Sequence, residues 1–278
     1  MKSFVERYEG KVFRVIEKFK LLREGDKVFI ALSGGKDSGA AGYVLVKYVR
    51  EKGIDCELTA FHMNLGLPSS KEVEEVVKEQ AKKLNIPLVT CNVADYGVDM
   101  AKIAQLPRPI CSSCGVIKRY LMNKIPREMG ATKVATGHHA DDFIVFFFKD
   151  ILGGNFSWIA KFTPLLPGKG KSIARIRPLF WVGGRENKEF CDSIGLPYLE
   201  DACPYAHLER GKWYEIVEYM ASKQPDFRRR MMIGIAKLAE LLPEETQTLR
   251  ECEKCGEPTS TKVCAFCRLV QAQKEVKS

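Results

Sequence analysis

Lys27-Val28-Phe29-Ile30-Ala31-Leu32, followed at once by Ser33-Gly34-Gly35-Lys36-Asp37-Ser38 and then by an apolar-periodic stretch from Gly39 to Val49, decides the fold. A short β-rich run, a glycine-containing loop and a helix, in that order, open a parallel α/β unit. Paired glycines let a backbone approach an anion closely, and amides at a helix N-terminus point at it with a favourable dipole. With the Ser33 and Ser38 hydroxyls added, Ser33, Gly34, Gly35, Lys36, Asp37 and Ser38 become candidate phosphate ligands. The loop matches neither Gly-x-x-x-x-Gly-Lys-Ser/Thr nor Gly-x-Gly-x-x-Gly. The bland alternative is a plain strand-to-helix turn.

The same alternation continues on both sides. Phe4, Tyr8, Val12, Val15, Ile16 and Phe19 recur at helical spacing and predict a helix over about 3–20. Strands are expected at 56–62, 87–93 and 133–136, and helices at 70–84, 117–127 and 140–152. A glycine- and lysine-rich loop is expected from 153 to 170, a last strand at 173–179, and helices at 188–194, 213–221 and 227–242. Strands alternating with helices predict an open parallel sheet covered by helices on both faces, an α/β fold. The expected division is an N-terminal helix (1–22), the α/β unit (23–180), a helical extension (181–245) and a cysteine-rich tail (246–278).

The 278 residues carry a formal charge of +9, with 45% hydrophobic and 28% charged residues, which excludes disordered and fibrous classes. The longest apolar run, Phe143 to Phe148, is far short of the ~18 residues a membrane span needs. The charged N-terminal stretch lacks a secretory pattern, so the expected location is the cytoplasm, with no membrane partner. In a reducing compartment, clustered cysteines point to metal or redox chemistry rather than disulfides.

Three further clusters carry chemistry. Cys111-x-x-Cys114, with Cys203 far downstream, can bind a metal or work as a redox pair, and an inert Cys203 is the structural alternative. Gly137-His138-His139-Ala140-Asp141-Asp142 follows the fourth strand and opens a helix; its carboxylates can hold Mg²⁺ or a proton, or simply complement the helix dipole. Cys252-x-x-Cys255 and Cys264-x-x-Cys267 give four thiolates in two pairs, the pattern of a structural Zn²⁺ site, with an iron-sulfur or redox site as the lesser alternative. Cys56, Cys91, Cys191, Trp158 and Trp213 are expected as packing residues. Arg228-Arg229-Arg230, Lys161, Lys169, Lys171 and Lys212 could follow an RNA backbone or be solvated helix faces.

Ser-Gly-Gly-Lys-Asp-Ser resembles the pyrophosphate loop of the PP-loop, or N-type ATP pyrophosphatase, superfamily. Within it, Cys-x-x-Cys with a distant third cysteine, Gly-His-x-x-Asp-Asp and the final four-cysteine pattern resemble the tRNA 2-thiolation enzymes, closest to the archaeal and bacterial 2-thiouridine group. The resemblance implies ATP cleaved between its α and β phosphates, with Asp37 near Mg²⁺ and with His62 at the strand end beside the adenine, or else a satisfied strand-end histidine. It also implies that Cys111, Cys114 and Cys203 hold a 4Fe-4S cluster, that Lys118 stabilises negative charge, and that Asp37, Asp141 and Asp142 manage metal or protons. Zn²⁺ would sit on Cys252, Cys255, Cys264 and Cys267. Implied partners are tRNA, a sulfur donor that is a ubiquitin-like thiocarboxylate carrier or sulfide, and a second copy of the chain. In two places the chain departs from the group: Phe143-Ile144-Val145 replaces a usual acidic residue, and no cysteine precedes Cys56, where a further zinc finger is common. Three alternatives stay open: 2-thiocytidine synthesis, a zinc-containing RNA-binding or sulfur-relay adaptor with an inactive ATP site, and a Cys114/Cys203 persulfide and disulfide pair without iron.

Overall fold

A computed structural model describes residues 2–200, 203, 205, 208–242 and 250–276. Helix α1 (Phe4–Lys18) starts at Ser3, whose hydroxyl accepts from the Glu6 amide at 3.2 Å while Glu6 accepts from the Ser3 amide at 2.7 Å. This reciprocal cap satisfies two otherwise orphaned donors. The chain then runs through β1 (Asp26–Ala31), α2 (Lys36–Lys52), β2 (Cys56–Asn64), α3 (Ser70–Leu84), β3 (Leu88–Asn92), α4 (Met100–Ile103), α5 (Ile110–Glu128), β4 (Lys133–Ala135) and α6 (Ala140–Leu152). After α7 (Phe156–Ile159) come β5 (Leu165–Leu166), β6 (Ala174–Ile176), α8 (Gly184–Ile194), α9 (Leu208–Lys223) and α10 (Phe227–Leu241). A small terminal unit holds β7 (Arg250–Glu251), β8 (Pro258–Thr259) and α11 (Ala265–Ala272).

The main sheet has the order β3-β2-β1-β4-β6-β5, parallel except for the antiparallel β5 edge. Alternation along β1 sends Val28 and Ile30 into a core shared with α1, α2, α6, α8 and α10, and Phe29 into a second core with α5 and the terminal unit. Tyr8, Val12, Val15 and Ile16 are fully buried in the first core, each contributing roughly 1.5–3 kcal/mol. Because the chain moves from β1 outward to β2 and β3 and then returns to β4 on the other side, the loops after β1 and β4 diverge and leave a crevice at the strands' C-terminal ends. Ligands of open α/β sheets bind there. Among the described residues no helix is long and apolar enough to cross a membrane.

Several local expectations change. Helix α5 begins at Ile110 rather than 117, so both Cys111 and Cys114 lie in its first turns. Gly115 and the two serines are weak helix formers, which hid that start. The expected 153–170 loop contains α7 and β5, and the last strand is confined to Ala174–Ile176. Trp158 is 52% exposed with the Lys161 ammonium 4.4 Å from its ring, and Cys56 is only half-buried, whereas Trp213, Cys91 and Cys191 pack as expected. Phe143, Ile144 and Val145 are buried in the first core, so the departure after Asp142 is a packing position facing away from the crevice.

Candidate active site

Gly34, at φ +77°, turns the chain after β1 so that the loop folds onto the first turn of α2. The Ser38 hydroxyl accepts from the Ser33 amide at 3.1 Å and donates to the Gly35 carbonyl at 3.0 Å, while the Leu199 amide donates to the Gly34 carbonyl at 2.9 Å. Gly137, after β4, lies against this loop. A Cβ there would stand 2.6 Å from the Ser38 nitrogen and 2.7 Å from the Asp37 carbonyl carbon, both backbone atoms that cannot step aside. Gly137→Ala is therefore expected to cost about 1–3 kcal/mol through overpacking. Chemical denaturation measures this; an unshifted midpoint would show that the two loops separate freely.

Between these loops opens a cleft of about 740 Å³. Of the site residues expected from sequence, Ser33, Gly35, Lys36, Asp37, Ser38, His62, Cys114, Lys118, Gly137, Asp141, Asp142 and Cys203 line it; Gly34 and Cys111 do not. His139, buried at its centre, is an addition the sequence reading passed over. Its Nε2 is 3.7 Å from Asp37 Oδ1 and 3.6 Å from Asp142 Oδ2, and its Nδ1 is 3.7 Å from Asp141 Oδ2. The imidazole thus gathers all three carboxylates.

Each carboxylate is fixed differently. Asp37 Oδ1 accepts from Asn187 Nδ2 at 2.8 Å, Asn187 Oδ1 accepts from the buried Tyr8 hydroxyl at 2.7 Å, and the Lys36 ammonium is 3.2 Å from Asp37 Oδ2. Asp141 accepts from Arg228 Nε at 2.6 Å and from the Gly184 amide at 2.8 Å, which makes it a strut between α6, α8 and α10. Asp142 accepts from the His139 amide at 3.1 Å and from the Tyr214 hydroxyl. Burial would raise its pKa, but the charges of His139 and His138 and the Tyr214 hydrogen bond prevail and hold it down at about 2. It is therefore an anion at neutral pH.

His62 is 3% exposed, and its Nδ1 lies 2.9 Å from the Leu32 carbonyl. Burial pulls its pKa down, so the ring is neutral, Nδ1 carries the proton for Leu32, and Nε2 is left as a buried acceptor with no partner. The satisfied-histidine alternative covers only half of the ring.

Cys114 is half-buried, and burial pushes its thiol up against the pull of neighbouring Lys118. The exposed Cys111 thiol is 3.5 Å from the Tyr205 carbonyl, which sets Tyr205 beside the first turn of α5. The sulfurs of Cys111, Cys114 and Cys203 are spread too widely to surround one ion. A cluster that takes one thiolate per iron seats its ligands further apart, and three sulfur donors suit iron.

The terminal cysteines do converge: the Sγ atoms of Cys252, Cys255, Cys264 and Cys267 lie within 4.8 Å of one another, with Cys255 and Cys264 3.7 Å apart. A tetrahedron with metal–sulfur bonds of about 2.3 Å has edges of about 3.8 Å. Amides of Cys264 and Cys267 point at the Cys252 and Cys264 sulfurs, at 3.2 and 3.4 Å. Phe266 stacks on Tyr120 of α5 at 3.8 Å, and buried Glu257 accepts from Arg127 at 2.8 Å and Asn123 at 3.3 Å.

Among the basic residues, Arg228 is tied to Asp141 and Glu218, and Lys171 to Glu251 and the Gly256 carbonyl, so neither presents a free cation to RNA as the sequence allowed. Asn187 and Tyr214 were missed as site residues because no local motif marks them, and Arg228, read from its basic run as facing RNA or solvent, is instead the partner of Asp141.

With this geometry, the comparisons with known proteins agree on one family. Residues 6–208 match the PP-loop domain. The tRNA-5-methyluridine(54) 2-sulfurtransferase of Pyrococcus horikoshii is 35% identical, over 98% of this chain and 87% of that protein. The enzyme of the same name from Thermotoga maritima is 33% identical, over 96% of this chain and 88% of its own length. Among solved structures, the U34-tRNA thiolase NcsA from Methanococcus maripaludis with its 4Fe-4S cluster superposes with a TM-score of 0.82 at 25% identity, covering 97% of this chain and 88% of that one. The chain that closes one cleft with a phosphate loop, an Asp-Asp helix start and cysteine thiols thus belongs to the PP-loop family, in its tRNA sulfurtransferase and thiolase branch.

Proposed function

We propose that the protein is an ATP-dependent tRNA sulfurtransferase that converts a uridine to 2-thiouridine. The observation that carries this is that one cleft is lined by the anion loop, by Lys118 and Asp142, and by the thiols of Cys114 and Cys203. The loop Ser33–Ser38 would hold the ATP phosphates, and the His62 Nε2 acceptor calls for a ligand donor such as the adenine amino group or a ribose hydroxyl. The uridine C2 oxygen would attack the α-phosphorus as the bond to pyrophosphate breaks; sulfur would then displace AMP from C2. Lys118 would offset the negative charge that develops in both displacements, and Asp37 with Asp142 would hold Mg²⁺.

Cys111, Cys114 and Cys203 would hold the 4Fe-4S cluster, the donor being a thiocarboxylate carrier or sulfide. When bound, such a cluster supplies an iron without a protein ligand, at which an exogenous sulfur can be held. Cys252, Cys255, Cys264 and Cys267 would hold Zn²⁺. The relatives with 33–35% identity are named for 5-methyluridine at position 54, which favours that nucleotide over position 34.

The test is anaerobic reconstitution with iron and sulfide, then ATP, Mg²⁺ and unmodified tRNA, with the product tRNA read by mass spectrometry both as nucleosides, for the base, and as ribonuclease fragments, for its position. A 2-thiouridine product at position 54 is expected. Absence of any thionucleoside from protein with verified cluster and zinc would sink the reading, and an intact cluster in Cys203→Ala would sink the ligand set.

A further inference from the structure

A row of arginines lies outside the machinery described above. Arg119 on α5 is exposed, while Arg175 on β6 and Arg177 just beyond it are half-buried. Among the described residues, none of the three has a carboxylate partner. Like charges act on them instead: Arg108 on Arg119, Arg119 on Arg175, and Arg175 on Arg177. For Arg175 and Arg177, burial, and after it these like charges, pulls the pKa down, that of Arg177 to about 10. For Arg175 and Arg177, partly withdrawn from water without a carboxylate partner, a bound anion would offset the cost, and the exposed Arg119 extends the same positive charge to the surface.

The groups are also held in place. Arg177 Nη1 donates to the carbonyls of Lys161 and Thr163 at 2.7 and 2.6 Å, and its guanidinium stands 5.1 Å from the Phe143 ring centre. Arg119 lies back along α5 over Gly115, where a Cβ would be 3.1 Å from its Nη1, so it points toward the Cys111–Cys114 turn. Arg108 is held by the Ser112 hydroxyl at 2.8 and 3.0 Å. Arg175 and Arg177 flank Ile176, whose carbonyl accepts from the Thr136 amide at 3.0 Å, two residues before His138 on the cleft wall, so β6 carries the row from the side of α5 to the cleft. The anion loop after β1 lies on the other side of β4, so ATP does not account for these charges.

We propose that Arg119, Arg175 and Arg177 form the phosphate track for the RNA strand whose base enters the cleft. This rests on the reading that RNA is the substrate. Guanidinium forks suit phosphate oxygens, and such contacts fix register without reading sequence.

Binding of fluorescein-labelled unmodified tRNA, followed by anisotropy across a KCl series, tests it. Removing one cation that neutralises a phosphate of a single strand flattens the slope of log affinity against log salt by about 0.7. R119Q, an exposed change that folding does not depend on, is expected to flatten the slope by about that amount, and R119Q/R175Q by about twice it. ATP affinity, the check that the fold is intact, should stay within about twofold. R119Q with wild-type slope and affinity would overturn the track while leaving the proposed function standing. No tRNA binding by the wild-type protein would overturn both.

Discussion

Exchange of Asp142 for asparagine is expected to lower the rate of ATP-dependent thiolation by about 10²–10⁴-fold, the usual weight of a positioned ionised group in a transition state. The carboxylate lies on the cleft wall, 6% exposed, 3.6 Å from His139 Nε2 and hydrogen-bonded by the His139 amide and the Tyr214 hydroxyl. Asparagine keeps the shape but removes the charge, and its amide nitrogen would face donors if it took the place of an oxygen. Pyrophosphate release and thionucleoside formation should fall together; a change below about tenfold would remove Asp142 from the reaction.

A second readout follows from ionisation. The folded-state pKa is depressed from 3.8 to about 2, so the stabilisation is present above the unfolded value and is lost as pH falls through about 2. A shift of this size corresponds to roughly 2 kcal/mol. The wild type should therefore lose about that much more stability than Asp142→Asn between pH 5 and pH 2. Parallel acid limbs would contradict the assignment.

Half of this site was legible in the sequence because it is built from contiguous motifs. Ser33–Ser38 and Gly137–Asp142 each sit where a strand gives way to a helix, and both end up at the β1/β4 crevice. The groups that fix their carboxylates come from far along the chain: Asn187 meets Asp37 across 150 residues, Arg228 meets Asp141 across 87 and Tyr214 meets Asp142 across 72. They lie on α8, α9 and α10, in helices whose periodicity reports only packing. The Arg228-Arg229-Arg230 run illustrates the limit: composition marks it as a basic surface, but burial turns its first member into the partner of Asp141. Arg119 and Arg175, isolated in the sequence, share one side of the sheet only because α5 packs against the start of β6, where Asn123 accepts from the Ile173 amide at 3.0 Å.

Loss of the Zn²⁺ proposed for Cys252, Cys255, Cys264 and Cys267 is the other change expected to be large. Structural Zn²⁺ in small finger units supplies about 10–16 kcal/mol of apparent binding energy, and a segment as short as 250–276 cannot bury enough surface to fold without it. Apart from its metal ligands, the unit is anchored by the Tyr120–Phe266 stack, the Glu257 contacts to Arg127 and Asn123, and Gln273, whose side chain accepts from the Asp99 amide at 3.0 Å. Chelation, or Cys264→Ser, should release this unit: trypsin would cleave within 250–276, and the apolar faces of Tyr120 and neighbouring Val116 would meet water. The loss should appear as an early unfolding transition of the second core, where Phe266 and Leu269 pack with Phe29 and Ile117, ahead of the core of α1, α2, α6, α8 and α10, which shares no buried residue with the terminal unit. ATP affinity should change by less than about twofold, since none of the cleft-lining residues belongs to 250–276. Metal analysis showing zinc gone, with protease resistance and a single transition retained, would mean that the packing and hydrogen bonds of Phe266, Leu269, Glu257 and Gln273 hold the unit in place without metal.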